Sequence, residues 1–499
     1  MRILMIAPEA APFAKTGGLG DVVGALSREM AMAGHEVRVV IPAYGSVRHR
    51  DGWAPHPDPV AVHISPWNTL FCRFWTLNPP AHPAPPSAPI FHFVEHNEFF
   101  GENAIYTEPR RDAYRFAFLT LAALDFCLQT QWHPDVVHAH DWPAALAPVF
   151  LNTTRRGTAL GRAASVFTIH NLFHQGIVPA SLMEWLRLPS WLYTADNLEC
   201  FGALNLMKGA LYHATKITTV SPNYAREIQT LEHGCGLDPV LRHRAGDLAG
   251  ILNGIDLAEW NPAADPHIAA RFNAADAAQG KAANKAALQH ALQLNPDAGI
   301  PLFGVVSRLY EQKGLDLLAD LLPALLENAH MQFALLGSGE ARLEDCYRNL
   351  AARFPGRCAV RLGFDNKLAH LIEAGADFFL MPSRFEPCGL NQMYSMRYGT
   401  LPIVRATGGL ADTVEDWGSG HGAKTGTGIV FHEFNHGEIL HAIHRALQLY
   451  FDFPPEFTAL RRNALARDFS WKKPVAAYLN VYAEALKSRR GQGAATPPA

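Results

Sequence analysis

The sequence predicts an α/β protein made of two doubly wound, Rossmann-like domains. Three observations carry that expectation. At 499 residues the chain is too long for one core, since domains average about 150 residues. Short apolar runs recur along it, separated by stretches with helical spacing. The runs also fall into two series, one in each half. Uninterrupted Val/Ile/Leu runs mark strands covered on both faces, as in parallel sheets flanked by helices.

The first series begins with RILMIA (2–7) and continues with EVRVVIP (36–42), DVVHAH (135–140), SVFTIH (165–170) and KITTVS (216–221). AYRFAFLTLAALDFCLQT (113–130) reads as a helix between two of them. The second series is PLFGVVSR (301–308), QFALLG (332–337), AVRLG (359–363), DFFLMPS (377–383) and TLPIVRA (400–406). The junction is expected near 245–255, within GDLAGILNGID, which gives domains over 1–247 and 248–471. The Pro-rich stretch NPPAHPAPPSAPI (78–90) reads as a surface excursion inside the first domain. Residues 489–499, which end in GQGAATPPA, read as a disordered tail. Ligands of open parallel sheets bind at the carboxyl ends of the strands. Two such domains facing each other would put those ends across a cleft.

Composition removes several function classes. With 43 Lys+Arg against 46 Asp+Glu, the formal charge is -3, which argues against a nucleic-acid or membrane coat. No apolar run approaches the ~20 residues of a membrane span. Seven cysteines are odd in number and form no CxxC pair, which points to a reduced, cytoplasmic protein. The 24 histidines invite a metal reading. HExxH occurs once, as HEFNH (432–436), but no two aspartates are separated by one residue, so the DxD signature is missing. His138 and His140 without a third ligand make a poor metal site, so a structural role is expected for both.

Four motifs follow strands and hold candidate chemistry. KTGGLGD (15–21) brings Lys15 and the adjacent Gly17 and Gly18 to a helix start, where backbone N–H groups can meet an anion. HAHDW (138–142) and TIHNLFHQG (168–176) end two strands in polar side chains. VSRLYEQKG places Arg308 and Lys313 after a strand, a planar fork and a point charge suited to a diphosphate. SRFEPCGLNQ puts Glu386 and Cys388 before the helix start at Gly389, and Gly408-Gly409 make a second glycine turn. GxxxxGK[ST] and GxGxxG are both missing, which disfavours a P-loop NTPase and a dinucleotide oxidoreductase.

In their order, KTGGLGD, HAHDW, TIHNL, SPNYAREI, LNGID, VSRLYEQKG, SRFEPCGL and TGGLADT resemble the bacterial glycogen synthase and plant starch synthase family. The resemblance spans roughly residues 1–485. It implies the GT-B architecture, with a C-terminal helix over 472–488 crossing back to the first domain. It also implies transfer of glucose from ADP-glucose to the non-reducing end of an α-1,4-glucan such as glycogen, with retention of configuration and no metal or other cofactor. By the same resemblance Lys15, Gly18 and Asp21 form the donor loop, with the Gly18 amide on the distal phosphate. Asp141 and Asn253 line the catalytic region, and His170 meets the transferring glucose. Arg308 and Lys313 hold the distal phosphate. Glu386 contacts glucose hydroxyls beside Cys388 and Gly389, and Leu390 and Asn391 continue onto the phosphates. Phe364 stacks on adenine where the family more often has Tyr, and Asn391 stands where Thr is frequent. Because both domains supply the donor site, they are expected to close over it. Tyr106, in an aromatic-rich segment, is the candidate for acceptor binding. Two other readings compete: a transferase making sucrose or another small glucoside, and a catalytically silent glucan-binding protein.

Overall fold

The computed structural model describes residues 1–47, 52–77, 88–418 and 424–493. The chain divides into two units, Met1–Gly254 with Trp471–Ala499, and Ile255–Ser470. The change of unit therefore falls between Gly254 and Ile255, inside the LNGID motif.

The first unit contains β1 (Arg2–Ile6), β2 (Glu36–Pro42), β3 (Trp53–Pro55), β4 (Val60–Ser65), β5 (Asn68–Leu77), β6 (Ile90–Glu95), β7 (Val136–His140), β8 (Ala164–Ile169), β9 (Ile177–Pro179), β10 (Glu199–Cys200), β11 (Ala203–Asn205), β12 (Lys216–Thr219) and β13 (Leu248–Gly250). Its main sheet runs β13, β12, β8, β7, β1, β2, β6, β5, β3, with β4 paired to β5. From β13 to β6 every neighbour is parallel. The remaining pairs, β5 with β6, β3 and β4, are antiparallel. The sheet is thus mixed, where continuous apolar runs had indicated five of its parallel strands, β1, β2, β7, β8 and β12, and missed β6 and β13. The antiparallel part was missed for a reason visible in β4, whose residues alternate between buried and more exposed, the pattern of a sheet wetted on one face.

The helix Lys472–Gly493 belongs to this unit. Tyr478, Tyr482 and Ala485 are fully buried and recur at three- and four-residue spacing, so they form one stripe. That stripe packs the helix on β8 and on the helix Gly18–Met32. The helix extends five residues beyond the expected end at 488. Residues 489–493 are therefore helical rather than part of a disordered tail, and 494–499 lie outside the described residues, as does most of the Pro-rich stretch. Arg489 explains part of the extension: its guanidinium donates to the Asn152 Oδ1 and the Gly161 carbonyl, both at 2.8 Å.

The second unit contains β14 (Leu302–Val306), β15 (Gln332–Gly337), β16 (Cys358–Leu362), β17 (Phe378–Met381), β18 (Leu401–Arg405) and β19 (Ile429–Phe431). The order is β16, β15, β14, β17, β18, β19, and every pair is parallel. This is the doubly wound order in which the chain starts centrally and reverses direction. Leu302, Ile372 and Phe379 belong to the apolar cluster between sheet and helices. Burying each such side chain contributes about 1.5–3 kcal/mol relative to exposure. Among the described residues, no helix is long and apolar enough to cross a membrane.

Candidate active site

In each unit most expected site residues lie at or beside the point where the strand order reverses, whereas Asn253 follows the edge strand β13 and Phe364 the edge strand β16. In the first unit β1 lies between β2 and β7. The loop after β1 leads to the helix Gly18–Met32, whose N-cap residue, Gly17, offers no side-chain cap. First-turn amides at such an end remain available to an anion. The Lys15 ammonium lies 2.6 Å from the Asp21 carboxylate, so Asp21 positions the lysine of its own loop. Glu9, which sequence reasoning missed, anchors the other side of the loop. It is buried and accepts from the Thr16 amide and hydroxyl at 2.5 and 2.8 Å. It also accepts from the Tyr106 hydroxyl at 2.8 Å. Tyr106 therefore stands beside the β1 loop with its hydroxyl engaged, and it retains its ring for further contacts.

The ends of β7 and β8 form a column of imidazoles. His138 and His140 point to the same face of β7, with ring centroids 4.0 Å apart. The His138 Nδ1 lies 2.7 Å from the Tyr482 hydroxyl of the C-terminal helix, and its Nε2 lies 2.6 Å from the Thr168 hydroxyl. His140 Nδ1 meets His170 Nε2 at 3.1 Å. Burial pushes the His138 and His170 imidazoles down to about 3. His140 is also driven well below its usual range, by burial and then by the two neighbouring rings. All three are neutral at physiological pH. Both nitrogens of His138 are spent on hydrogen bonds, and no group of three or more His, Cys, Asp or Glu able to hold a metal ion occurs among the described residues.

Asp141 follows directly, with a left-handed backbone at φ 59°. That conformation is uncommon for a residue with a side chain and persists where surrounding structure imposes it. Burial pushes the Asp141 carboxyl well above the usual range, against the amides of Trp142, Asn171 and His170, which favour the anion. Among the buried polar atoms of this unit that have no partner, three lie on expected site loops: His140 Nε2, Asp141 Oδ1 and Asn253 Oδ1. Buried polar groups are ordinarily satisfied, so three orphans on expected site loops mark a surface made for polar ligand groups.

In the second unit β14 lies between β15 and β17, and the loops after β14 and β17 hold the chemistry. Arg308 is exposed, and its guanidinium makes no side-chain hydrogen bond or ion pair among the described residues. Lys313 is paired: its ammonium lies 2.6 Å from the Glu386 Oε2, which also accepts from the Ser383 hydroxyl at 3.1 Å. Glu386 is only 6% exposed. Two glycines allow this assembly. Gly314, at φ 66°, has no room for a Cβ against the Pro382 carbonyl, and Gly408, at φ 45°, has none against the Glu386 carbonyl. The Gly408-Gly409 turn is thus a brace: the Gly409 amide reaches the Glu386 and Pro387 carbonyls, both at 3.2 Å.

Cys388 is buried, and the chain turns through Gly389 into the helix Asn391–Arg397. Leu390 is the N-cap residue and supplies no side-chain cap. The Asn391 side chain donates to the Val306 carbonyl at 2.6 Å. Its amide group is therefore committed to β14, and the backbone N–H is what remains for a ligand. Phe364, after β16, is 89% exposed and presents an open aromatic face.

Comparison with known proteins agrees with this geometry over nearly the full chain. The family model described as starch synthase catalytic domain matches residues 2–243, and that described as glycosyl transferases group 1 matches 291–464. A glycogen synthase of Anaeromyxobacter dehalogenans is 47% identical over 494 residues, covering 97% of this chain and 98% of its own. Glycogen synthase 1 of Geobacter metallireducens is 43% identical, covering 99% and 97%. Among solved structures, the catalytic domain of starch synthase IV from Arabidopsis thaliana, bound to ADP and acarbose, superposes with a TM-score of 0.90 at 33% identity and covers 97% of this chain and 99% of its own. A sucrose-phosphate synthase from Thermosynechococcus elongatus gives a TM-score of 0.60 at 17% identity over 98% and 99%, a likeness of fold alone.

Proposed function

The chain belongs to the glycogen synthase and starch synthase family, and on that premise we propose how its residues transfer glucose from ADP-glucose to the non-reducing end of an α-1,4-glucan. It is a retaining glycosyltransferase of GT-B architecture. In our reading the second unit handles the diphosphate. Arg308 and Lys313 meet the distal phosphate, the amides at the start of Asn391–Arg397 add to them, and Phe364 stacks on adenine. The first unit handles the sugar. His170 donates a hydrogen bond as a neutral imidazole, Asp141 and Asn253 take hydroxyls, and Lys15 with the Gly18 amide completes the phosphate contacts. The Arg308 guanidinium at the β14 switch point, over the Tyr310 ring at 5.6 Å and without a side-chain hydrogen bond or ion pair among the described residues, is the observation that carries this division.

The bond from the anomeric carbon to the diphosphate oxygen breaks as negative charge grows on that oxygen. Fixed donors and cations lower the barrier by stabilising this charge. The acceptor hydroxyl forms the new bond on the same face, and its proton passes to the departing phosphate, releasing ADP. Glu386 is a poor candidate for a covalent nucleophile. Its Oε2 is held by Lys313 and Ser383, which lowers its electron-donating power and orients the carboxylate toward sugar hydroxyls. Recovery of a glycosylated Glu386 from the wild-type enzyme would defeat the same-face route.

We read the reaction as independent of a metal, because His138 spends both ring nitrogens on hydroxyls, His140 and His170 spend one each on the other, and no group of three ligands forms among the described residues. Unimpaired turnover in excess EDTA is the expected result. A cytoplasmic location fits the seven cysteines, all of which are free. The activity is checked by ADP release from ADP-glucose with glycogen. No release above the buffer control would return the protein to the silent glucan-binding class. Faster release from UDP-glucose in direct competition would overturn the donor assignment.

A further inference from the structure

At the opposite end of the first unit's sheet lies a cavity of about 910 Å³ lined by Arg156, Arg162, Arg489 and Arg490. His133 and Asp135 complete its polar lining with Asn152. His133 and Asp135 precede β7, whereas His140 ends it. The five residues of β7 thus hold the two sites roughly 16 Å apart at about 3.3 Å per residue.

Four guanidinium groups face a single carboxylate here. Asp135 is engaged in accepting from the Arg2 amide at 2.8 Å. Arg156, Arg162 and Arg490 are exposed and make no side-chain hydrogen bond or ion pair among the described residues. The sequence beyond Arg490, GQGAATPPA, brings no acidic side chain. Arg489 is the built part of the site: half-buried, it is tied to Asn152 and Gly161. Burial and then the Arg156 charge push the Arg489 guanidinium below its ordinary value, so these like charges lie within reach of each other.

Guanidinium forks pair with phosphate oxygens two at a time. Uncompensated arginines gathered in a concave site have the chemistry of a polyanion receptor. No Phe, Tyr or Trp lines the cavity, so it lacks the broad aromatic platform on which a nucleotide base or a glucan ring stacks. We propose that this cavity binds a small organic phosphate carrying at least two negative charges, such as a sugar bisphosphate, at a site separate from the donor and acceptor sites. The C-terminal helix that contributes Arg489 and Arg490 also supplies Tyr482 to His138. An occupant would therefore rest on the helix that buttresses the imidazole column.

The test is calorimetric titration of the full-length protein with fructose 1,6-bisphosphate, using fructose as the uncharged control. Three proteins are compared: wild type, Arg156→Ala/Arg490→Ala, and Arg308→Ala. Melting temperatures without ligand check that both variants are folded, and exposed Arg156 and Arg490 are safe positions for substitution. The expected result is binding to the wild type, affinity lowered about tenfold or more in the double variant, and affinity unchanged in Arg308→Ala. The proposal is overturned by no heat with the wild type at millimolar ligand, or by equal affinity in the double variant. Loss of binding in Arg308→Ala would also overturn it, since the bisphosphate would then be reporting the donor site.

Discussion

The ends of β7 and β8 in the first unit and of β14 and β17 in the second occupy the same place in two similar sheets, yet their electrostatics are opposite. In the first, burial holds His138, His140 and His170 neutral, and the leftover valences belong to His140 Nε2, Asp141 Oδ1 and Asn253 Oδ1. In the second, charge persists in an open guanidinium at Arg308 and in the Lys313–Glu386 pair. A parallel sheet supplies the position, while the side chains decide what is received there. Neutral, desolvated donors and acceptors suit sugar hydroxyls, and cations suit a leaving diphosphate.

The contrast can be broken most forcefully on the charged side. Arg308→Ala should lower kcat about 100- to 1000-fold, the range for losing one donor to a developing anion, with little change in Tm, because its contact with the exposed Tyr310 ring at 5.6 Å leaves no buried charge behind when lost. Lys313→Ala should lower both, since it leaves Glu386 buried without its cation, a loss that typically costs about 3–5 kcal/mol. Equal Tm losses in the two variants would erase the distinction. The brace comes next. Gly408→Ala forces a Cβ onto the Glu386 carbonyl at a left-handed φ, for which about 1–3 kcal/mol of destabilisation is expected from the backbone alone, read in a urea midpoint.

Phe364→Ala should weaken ADP binding by about 1–3 kcal/mol, the usual range for a base–aromatic stack, as measured by calorimetry. On the neutral side, His140→Ala should reduce kcat about tenfold, a modest loss typical of a positioning contact, while ADP affinity stays unchanged. An unaltered kcat would leave His140 as packing only. The smallest effect concerns pH. Burial pushes the Glu373 carboxyl from 4.5 up to about 8, so the folded state binds the proton more tightly than the unfolded chain does. Its contribution to stability is complete below about 4.5 and is lost as pH rises through about 8. Glu373→Gln should flatten the fall in stability across that window, measured by urea unfolding.

Much of this organisation was legible in the sequence. Buried parallel strands announce themselves as continuous runs, and EVRVVIP became β2 residue for residue. The antiparallel strands β4 and β5 were missed because they alternate, and β3 and β9 to β11 because two or three residues carry no periodicity. Candidate positions could be picked out from motifs, but partnerships could not. Lys313 meets Glu386 only because β14 and β17 are neighbours in space, and His140 meets His170 only because β8 pairs with β7. Glu9 sits three residues beyond β1 with no distinguishing pattern around it. Its role depends on Thr16 and Tyr106 converging from distant sequence.

The division of labour between sugar and diphosphate is tested most directly by ADP affinity, measured by calorimetry in His170→Ala and Arg308→Ala side by side. The expected result is ADP binding weakened about tenfold or more by Arg308→Ala, the scale of one charge-assisted contact, and unchanged by His170→Ala despite its lost turnover. Equal weakening in both, or weakening only in His170→Ala, would contradict the account.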